Sequence, residues 1–489
     1  MTITTTHNET KLMDVNIPIG TNFNAEKSTE VKESKPNSNK DNILVRDLLK
    51  KVKEVDFYKY GEIDQGKKLN QKHFLILVVD YALEQIERGE LNIGKYNDSI
   101  YFYNGQYWIH QELEFIKTFL SKLALNMGVD KYTSDHFKFA ENLLKQFLFK
   151  AKIQQPLSSI NKVHINLRNG TFEVERKGFR LKEFDSADFL TYQLNFSYSP
   201  SAKCPKFKAY LNKVLPDKAS QEILSEYIGY VFTKNLKLEK CLLLYGGGGN
   251  GKSVFFDIVD ALLGEENISN YTLESLGSEQ NRAELGNKLL NYGSEIEGNI
   301  SNDLFKRLAS GEPIDARYLF GRPFIIRHYA KLMFNANELP KGVEHSEAYF
   351  RRFLIIPFDV TIPKHERNGD LAKEIIQEEL AGVFNWVLEG LQRLLESKRF
   401  TESEKVNKQI DLYKKESNNV YLFMVDGHYK TSIKEEHSNL LTWFYSEYRR
   451  FCHEGGYSPL NRKHFRDRLI KLGYEVKRQT NGVNVFFEK

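Results

Sequence analysis

Cysteine is scarce in this sequence, since its 489 residues contain only Cys204, Cys241 and Cys452. The three lie far apart and in no paired spacing, which argues against a disulfide framework or a zinc site. This usage is typical of a protein in a reducing compartment. We therefore expect a cytoplasmic protein.

Long hydrophobic runs are also missing. The most apolar window begins at His73 and covers about a dozen residues, fewer than the roughly 20 that a membrane-spanning helix needs. No charged segment at the N-terminus leads into an apolar block, so we predict neither a membrane partner nor a secretion signal. The length and a hydrophobic content of 41% predict two to four domains.

The sequence has little excess of either charge, with a net charge of +5. That excess is concentrated, because residues 461–489 contain eight lysines and arginines against three aspartates and glutamates, a difference equal to the net charge of the whole chain. A concentrated basic segment is a stronger indication of nucleic-acid binding than evenly spread charge.

Composition and periodicity divide the chain into four parts. Residues 1–42 are polar and predict a disordered tail. Residues 43–205 mix helical and strand patterns and predict an α+β domain. Residues 206–400 alternate amphipathic helices with buried strands, which predicts an α/β core whose parallel sheet is flanked by helices. Residues 401–489 are predicted to form a helical linker and a basic terminal domain.

A glycine-rich stretch, YGGGGNGKS at 245–253, follows an apolar strand pattern and precedes a helical one. In this context G-x-x-x-x-G-K-[ST] forms a phosphate-binding loop, because glycines let successive backbone N–H groups point at one anion. The alternative, a flexible linker, does not sit between a buried strand and a helix. The residues predicted to bind ATP and Mg²⁺ are Gly246, Gly248, Gly249, Asn250, Gly251, Lys252 and Ser253, the last through its hydroxyl on the metal.

Two acids follow the next apolar strand pattern, which starts at Lys288. If the strand continues through them, Glu295 and Glu297 project to the same face. One can then hold magnesium while the other polarises the attacking water, and Glu295 is the first choice. The alternative is a pair of solvated carboxylates.

A third strand pattern carries Asn335 and Asn337 at its carboxyl end, where parallel sheets place ligand-binding groups. Asn337 is a candidate to hold the γ-phosphate or the lytic water, and a turn-forming Asn is the alternative. Arg351 and Arg352 precede a fourth buried strand. An arginine there can reach the phosphates of a neighbouring subunit, unless it is simply solvated.

Two further segments are candidates for DNA contact. Residues 313–328 have the pattern of a hairpin with Arg317, Phe320 and Arg322 clustered at its turn, although these groups can also pack on the core or face water. Residues 443–489 have a winged-helix pattern, which can bind DNA or another protein. Its candidate DNA contacts are Arg462, Lys463, Arg466, Lys477 and Arg478.

Together these stretches resemble the superfamily 3 AAA+ DNA helicases of the phage and plasmid primase-helicase type, which are related to poxvirus-like NTPases. The resemblance runs from about Ser99 to the C-terminus. Its most specific parts are GGGGNGKS at 246–253, SGEPIDARYLFGRPF at 310–324, FNANELP at 334–340 and YFRRFLIIPF at 349–358. The chain is also similar to Rep initiator-helicases of staphylococcal pathogenicity islands.

The resemblance implies an AAA+ P-loop NTPase core and a role for each matching residue. Lys252 and Ser253 bind ATP and magnesium, Glu295 is the acidic motif and Asn337 is the polar sensor. Many relatives have two adjacent acids where this chain has Ser294 and Glu295, which leaves Glu297 as a substitute partner for the metal.

The resemblance also implies an assembly. Arg351 or Arg352 acts in trans as an arginine finger, which requires a ring, commonly a hexamer. The segment from Lys306 to Arg322 contains the hairpin that grips DNA. Primase activity is not expected, because about 160 ordered residues precede the motor and they hold no cysteine cluster.

The function predicted from the sequence is an ATP-dependent replicative DNA helicase and initiator of a phage, plasmid or genomic island, in the cytoplasm of a bacterial host. Its expected partners are single- and double-stranded DNA at an origin, further copies of the chain, and a separate primase, polymerase or single-strand binding protein. The alternatives are a DNA-binding ATPase switch that loads another helicase, and a small-molecule kinase.

Overall fold

The computed structural model describes residues 46, 48–88, 92–96, 99–151, 162–176, 178–296, 301–319, 321–340 and 346–489. The predicted disordered tail, residues 1–42, lies outside these ranges, as do Glu297 and Phe320. The described chain is a mixed α/β protein with helices packed on a parallel sheet, as the sequence predicts.

The first described part is helical, with one small sheet. Its helices are α1 (Phe57–Tyr60), α2 (Gln71–Glu87), α3 (Leu113–Asn126), α4 (Lys131–Ser134) and α5 (Phe137–Lys150). Strands β1 (Asn92–Tyr96), β2 (Ser99–Tyr103) and β3 (Trp108–Gln111) pair antiparallel in that order. The apolar faces of α2, α3 and α5 form one core with side chains of β1 and β2.

A second antiparallel sheet consists of β4 (Val163–Leu167), β5 (Gly170–Glu175) and β6 (Gly178–Lys182). Side chains of β4 and β5 share a core with α6 (Pro205–Val214), α7 (Lys218–Val231) and the long α12 (Leu371–Ser397). This core is continuous across residue 205, and the division into domains at residues 205 and 400 stays a prediction.

The central sheet contains five strands, all parallel. They are β7 (Cys241–Tyr245), β8 (Ile268–Ser269), β9 (Leu290–Gly293), β12 (Lys331–Ala336) and β13 (Phe353–Pro357), in the spatial order β13-β7-β12-β9-β8. Alternate residues of each strand face opposite sides. On one side Leu242 and Leu244 pack on α8 (Lys252–Leu263) and α12, and on the other Leu243 packs with the core of the hairpin segment. The sheet is therefore buried on both faces, which explains its nearly continuous apolar strands.

The segment between β9 and β12 contains the predicted hairpin. Helix α10 (Asn302–Ser310) precedes the hairpin along the chain, and α9 (Glu279–Glu284), which precedes β9, packs on the hairpin strand β10 (Ile314–Ala316). Strand β10 pairs antiparallel with β11 (Phe324–Ile326). The buried guanidinium of Arg282 on α9 anchors it, because Nη2 lies 2.6 Å from Oδ2 of Asp315. The short α11 (Glu347–Phe350) precedes β13.

The C-terminal part begins with α13 (Glu404–Glu416), which packs on β13, and continues with α14 (Asn419–Asp426), α15 (Leu441–Glu454) and α16 (Arg462–Lys471). Strand β17 (Gly482–Glu488) pairs with β14 (Lys430–Thr431), β15 (Ser438–Leu440) and β16 (Glu475–Gln479). Phe465 and Leu469 of α16 are fully buried and Leu472 packs beside them.

Across the described ranges, none of the helices combines the length and apolar character that crossing a bilayer requires.

Candidate functional site

The glycine-rich loop lies between the carboxyl end of β7 and the first turn of α8, where the sequence places it. Gly248, Gly249 and Gly251 have φ angles of +86°, +64° and +89°, a conformation that side chains with a Cβ adopt at a cost. At Gly246 a Cβ atom would lie 2.3 Å from Nδ2 of Asn250. The loop therefore requires glycine at these positions, and its curled backbone exposes N–H groups at the positive end of α8.

Lys252 is the charged centre of the loop, and only 6% of its surface is exposed. Its ammonium donates hydrogen bonds to the Gly246 carbonyl and, at 3.2 Å, to Oδ1 of Asn250. It also lies 3.4 Å from Oδ1 of Asn337. Burial lowers its pKa from the ordinary value of lysine. The adjacent Ser253 is exposed on the first turn of α8.

Neighbouring elements hold the loop in place. Asn250 is buried and donates from Nδ2 to the Phe358 carbonyl at 2.9 Å. The Tyr210 hydroxyl of α6 donates to the Gly251 carbonyl at 2.7 Å. The loop is thus fixed from both sides before any ligand binds, which lowers the entropic cost of binding.

Arg367 is a cation beside the loop that the sequence did not single out. A Cβ atom added to Gly249 would lie 2.5 Å from Nη2 of Arg367, so the guanidinium packs directly on the glycine backbone. Its Nε donates to the Ile362 carbonyl at 3.0 Å, and the Ile362 amide donates to the Gly249 carbonyl at 2.9 Å. No motif marks this residue, because more than a hundred positions separate it from the loop.

The acidic prediction needs a correction. Strand β9 ends at Gly293, so Glu295 lies in a bend beyond the strand and is exposed. The alternation that was expected to align Glu295 with Glu297 therefore does not apply. Glu295 still follows a strand at the expected edge of the sheet, because β9 and β12 are adjacent and both end at the edge that carries the loop.

The two asparagines at the end of β12 differ in their surroundings. Asn337 follows the strand and contacts Lys252. Asn335 lies inside the strand and donates from Nδ2 to the Tyr292 hydroxyl. The structure therefore brings Asn337, and not Asn335, to the lysine of the loop.

The adjacent arginines also differ. Arg352 is 7% exposed, and its Nε donates to Oγ of Ser310 at 3.0 Å. Arg351 is exposed and forms an ion pair of 2.9 Å with Glu239. Of the two, Arg351 is the side chain that reaches the protein surface.

The predicted DNA-contact residues fall on two separate surfaces. At the hairpin turn Arg317 and Arg322 are exposed, and Leu319 beside them is 71% exposed. Lys306 lies on α10 and is half-buried. Exposed basic residues of the C-terminal part are Arg462, Lys463, Lys477 and Arg478, whereas Arg466 is partly covered and pairs with Asp467 at 2.8 Å.

Comparison with protein families gives two matches, each over less than half of the chain. Residues 244–352 match a family of unknown function (DUF5906), and residues 85–216 match a family described as D5 N terminal like. The first includes the phosphate-loop residues and the hairpin. The second ends between α6 and α7.

Two viral proteins are similar in sequence. The chain is 23% identical over 248 residues to "Putative helicase L207/L206" of Acanthamoeba polyphaga mimivirus, which covers 48% of the chain and 25% of that protein. It is 22% identical over 353 residues to "Putative helicase 121R" of Invertebrate iridescent virus 3, which covers 64% of the chain and 37% of that protein. The chain thus spans between a quarter and two fifths of the length of these relatives.

Solved structures with a similar course of the chain include two of the NrS-1 C-terminal region in its apo form. One covers 86% of this chain and 99% of the solved chain at a TM-score of 0.44 and 12% identity. The other covers 85% and 99% at a TM-score of 0.45 and 14% identity.

Proposed function

We propose that this protein is an ATP-hydrolysing DNA helicase of the AAA+ type that acts in the replication of a phage, plasmid or genomic island. The observation that carries the proposal is the contact between Lys252 and Asn337. It places a polar side chain from the neighbouring parallel strand beside the ammonium of the phosphate loop.

The loop fits a triphosphate. Its glycines leave a backbone cradle that Cβ atoms would obstruct, and Lys252 presents a buried positive charge inside it. Bound magnesium would neutralise phosphate charge, with the Ser253 hydroxyl and Glu295 as its candidate ligands. Asn337 then orients the γ-phosphate or the attacking water, and whichever of Glu295 and Glu297 does not hold the metal polarises that water.

The helicase assignment has support from the viral relatives, whose names describe helicases. We propose that copies of the chain form a ring, with six as the working number, in which Arg351 reaches the nucleotide of the next subunit. The hairpins would face the central channel and contact single-stranded DNA through Arg317 and Arg322. The C-terminal winged helix would bind duplex DNA at an origin through α16 and the β16–β17 wing.

A forked duplex with one fluorescent strand tests this proposal. The wild-type protein with ATP and magnesium is expected to displace that strand, whereas Lys252→Ala is expected to leave the duplex intact. ATP hydrolysis without displacement by the wild type would instead favour a switch that loads another helicase. Failure of both activities would reject the proposal.

A further inference from the structure

A second cationic site lies at the opposite edge of the central sheet from the phosphate loop. A cavity there has a volume of about 80 Å³, and its basic lining residues are Lys234, Lys237, Lys240, Lys288, Arg327 and Lys331. Among the described residues that line it there is no aspartate or glutamate. Concave surfaces lined by one sign of charge concentrate ions of the opposite sign.

The fold separates this cavity from the nucleotide site. Lys331 is the first residue of β12 and Asn337 follows its last, so the strand places them roughly 20 Å apart. Lys240 precedes β7, whereas the phosphate loop follows it. The two cationic sites therefore occupy the amino and carboxyl ends of the same strands.

The described lining residues supply no carboxylate for these positive charges, and the Lys331 ammonium lies over the Tyr230 ring, 4.1 Å from its centroid. Burial, and then the charge of Lys237, lower the pKa of Lys331 to about 8. Burial and the charges of Lys234, Lys331 and Lys237 lower the pKa of His328, which also lines the cavity. These groups line one cavity, where the lysine charges disfavour the charge of His328, and that of Lys237 disfavours the charge of Lys331.

Two of the six cations have acidic neighbours outside the cavity. Glu239 attracts Lys240, and Glu284 attracts Lys288. Burial alone lowers the pKa of Lys234, and burial together with the charge of Lys237 lowers that of Lys331. An anion in the cavity would relieve this repulsion, whereas an apolar ligand would not.

We propose that this cavity binds phosphate groups, as a site separate from the phosphate loop. The phosphates belong either to the backbone of a nucleic-acid strand or to a free polyphosphate. Arg327 connects the cavity to the hairpin, since it directly follows β11. Arg322 precedes β11 and Arg327 follows it, so basic residues stand at both ends of the strand that leads from the hairpin turn to the cavity.

The test removes two cavity charges with Lys234→Gln and Lys331→Gln together. The control changes Lys145→Gln and Lys408→Gln, two exposed lysines outside the cavity. Arg327→Gln, at an exposed position, is a second variant in case the double variant unfolds. Thermal melting of each protein checks that it is folded.

The first arm measures fluorescence anisotropy of labelled oligothymidylate against salt concentration, without nucleotide. Each lysine that contacts a strand contributes about 0.7 to the steepness with which log K falls against log salt. If both lysines contact a strand, the double variant therefore makes this slope shallower by about 1.4. Arg327→Gln lowers the slope by about half as much, and the control leaves it unchanged.

The second arm adds tripolyphosphate in a Lys252→Ala background, so that the phosphate loop does not contribute. A melting-temperature increase that the double variant loses and the control keeps assigns the site to free polyphosphate. A loss in either arm supports the proposal and identifies the source of the phosphate. If neither arm responds to the cavity variants, the proposal is overturned, whatever the outcome of the strand-displacement assay.

Discussion

Asn337 accepts a hydrogen bond from Lys252, with Oδ1 3.4 Å from Nζ. The ammonium also contacts the Gly246 carbonyl, so one cation joins the start of the loop to the end of the neighbouring strand. A γ-phosphate held by Lys252 would therefore lie within reach of Asn337.

Asn337→Ala is expected to lower the rate of ATP hydrolysis by about 10²-fold, because a group that acts mainly in the transition state is lost. Binding of ATP, measured by titration, should change less than about tenfold. Asn407→Ala, at an exposed position on α13, is the control. Equal losses in binding and hydrolysis would show that Asn337 only supports the loop.

Two glycines of the loop should respond differently to alanine. At Gly251 φ is +89° and a Cβ would lie 2.9 Å from Cγ1 of Val214, so Gly251→Ala should lower the free energy of unfolding by about 1–2 kcal/mol and weaken nucleotide binding. At Gly247 no atom lies within 4 Å of an added Cβ, so Gly247→Ala should leave both unchanged. Denaturant unfolding and ATP titration provide the measurements, and equal effects would contradict the geometry.

The adjacent arginines should separate stability from catalysis. Arg352→Ala removes a buried hydrogen bond to Ser310 and should cost about 2 kcal/mol of unfolding free energy. Arg351→Ala should leave stability within about 0.5 kcal/mol and lower hydrolysis by about 10³-fold. Mixing Arg351→Ala with Lys252→Ala subunits should restore part of the activity, since each supplies what the other lacks. Without any restoration, an arginine acting in trans is excluded.

Glu173 provides a prediction for acid stability. It is 4% exposed, and although burial alone raises its pKa, hydrogen bonds from His164, Arg180 and Lys162 lower it to about 2. Because the folded pKa lies below the unfolded value of about 4.3, its stabilisation is complete above that value and is lost as pH falls towards 2.

Glu173→Gln should therefore lower the unfolding free energy at neutral pH by about 3 kcal/mol and flatten its dependence between about pH 4.5 and 2. Glu175→Gln is the matched control, since this neighbour is 49% exposed and its ion pair is with Lys162. Urea unfolding at a series of pH values measures both, and an unchanged slope in Glu173→Gln would refute the assignment.

Local patterns were enough to predict the loop, its flanking strand and helix, and the hairpin. Each is encoded by neighbouring residues, through glycine at positive φ or through the periodicity of apolar residues. The position of Asn337 followed from the rule that the ends of parallel strands meet at one edge.

Features that depend on distant residues could not be predicted. The end of β9 at Gly293 was missed because the apolar pattern of Tyr292 and Ile296 continues past it. The contact of Arg367 with Gly249, and the burial of Arg352 beside an exposed Arg351, arise from tertiary packing. The basic cavity likewise joins side chains from five separate segments, which no spacing in the sequence relates.

The most direct test of the central claim is ATP hydrolysis by the purified protein, with and without single-stranded DNA, beside Lys252→Ala. We predict hydrolysis that DNA stimulates in the wild type and that the variant loses, while circular dichroism shows both proteins folded. Absence of ATP binding and hydrolysis in the folded wild type, or equal hydrolysis in the variant, would contradict the account.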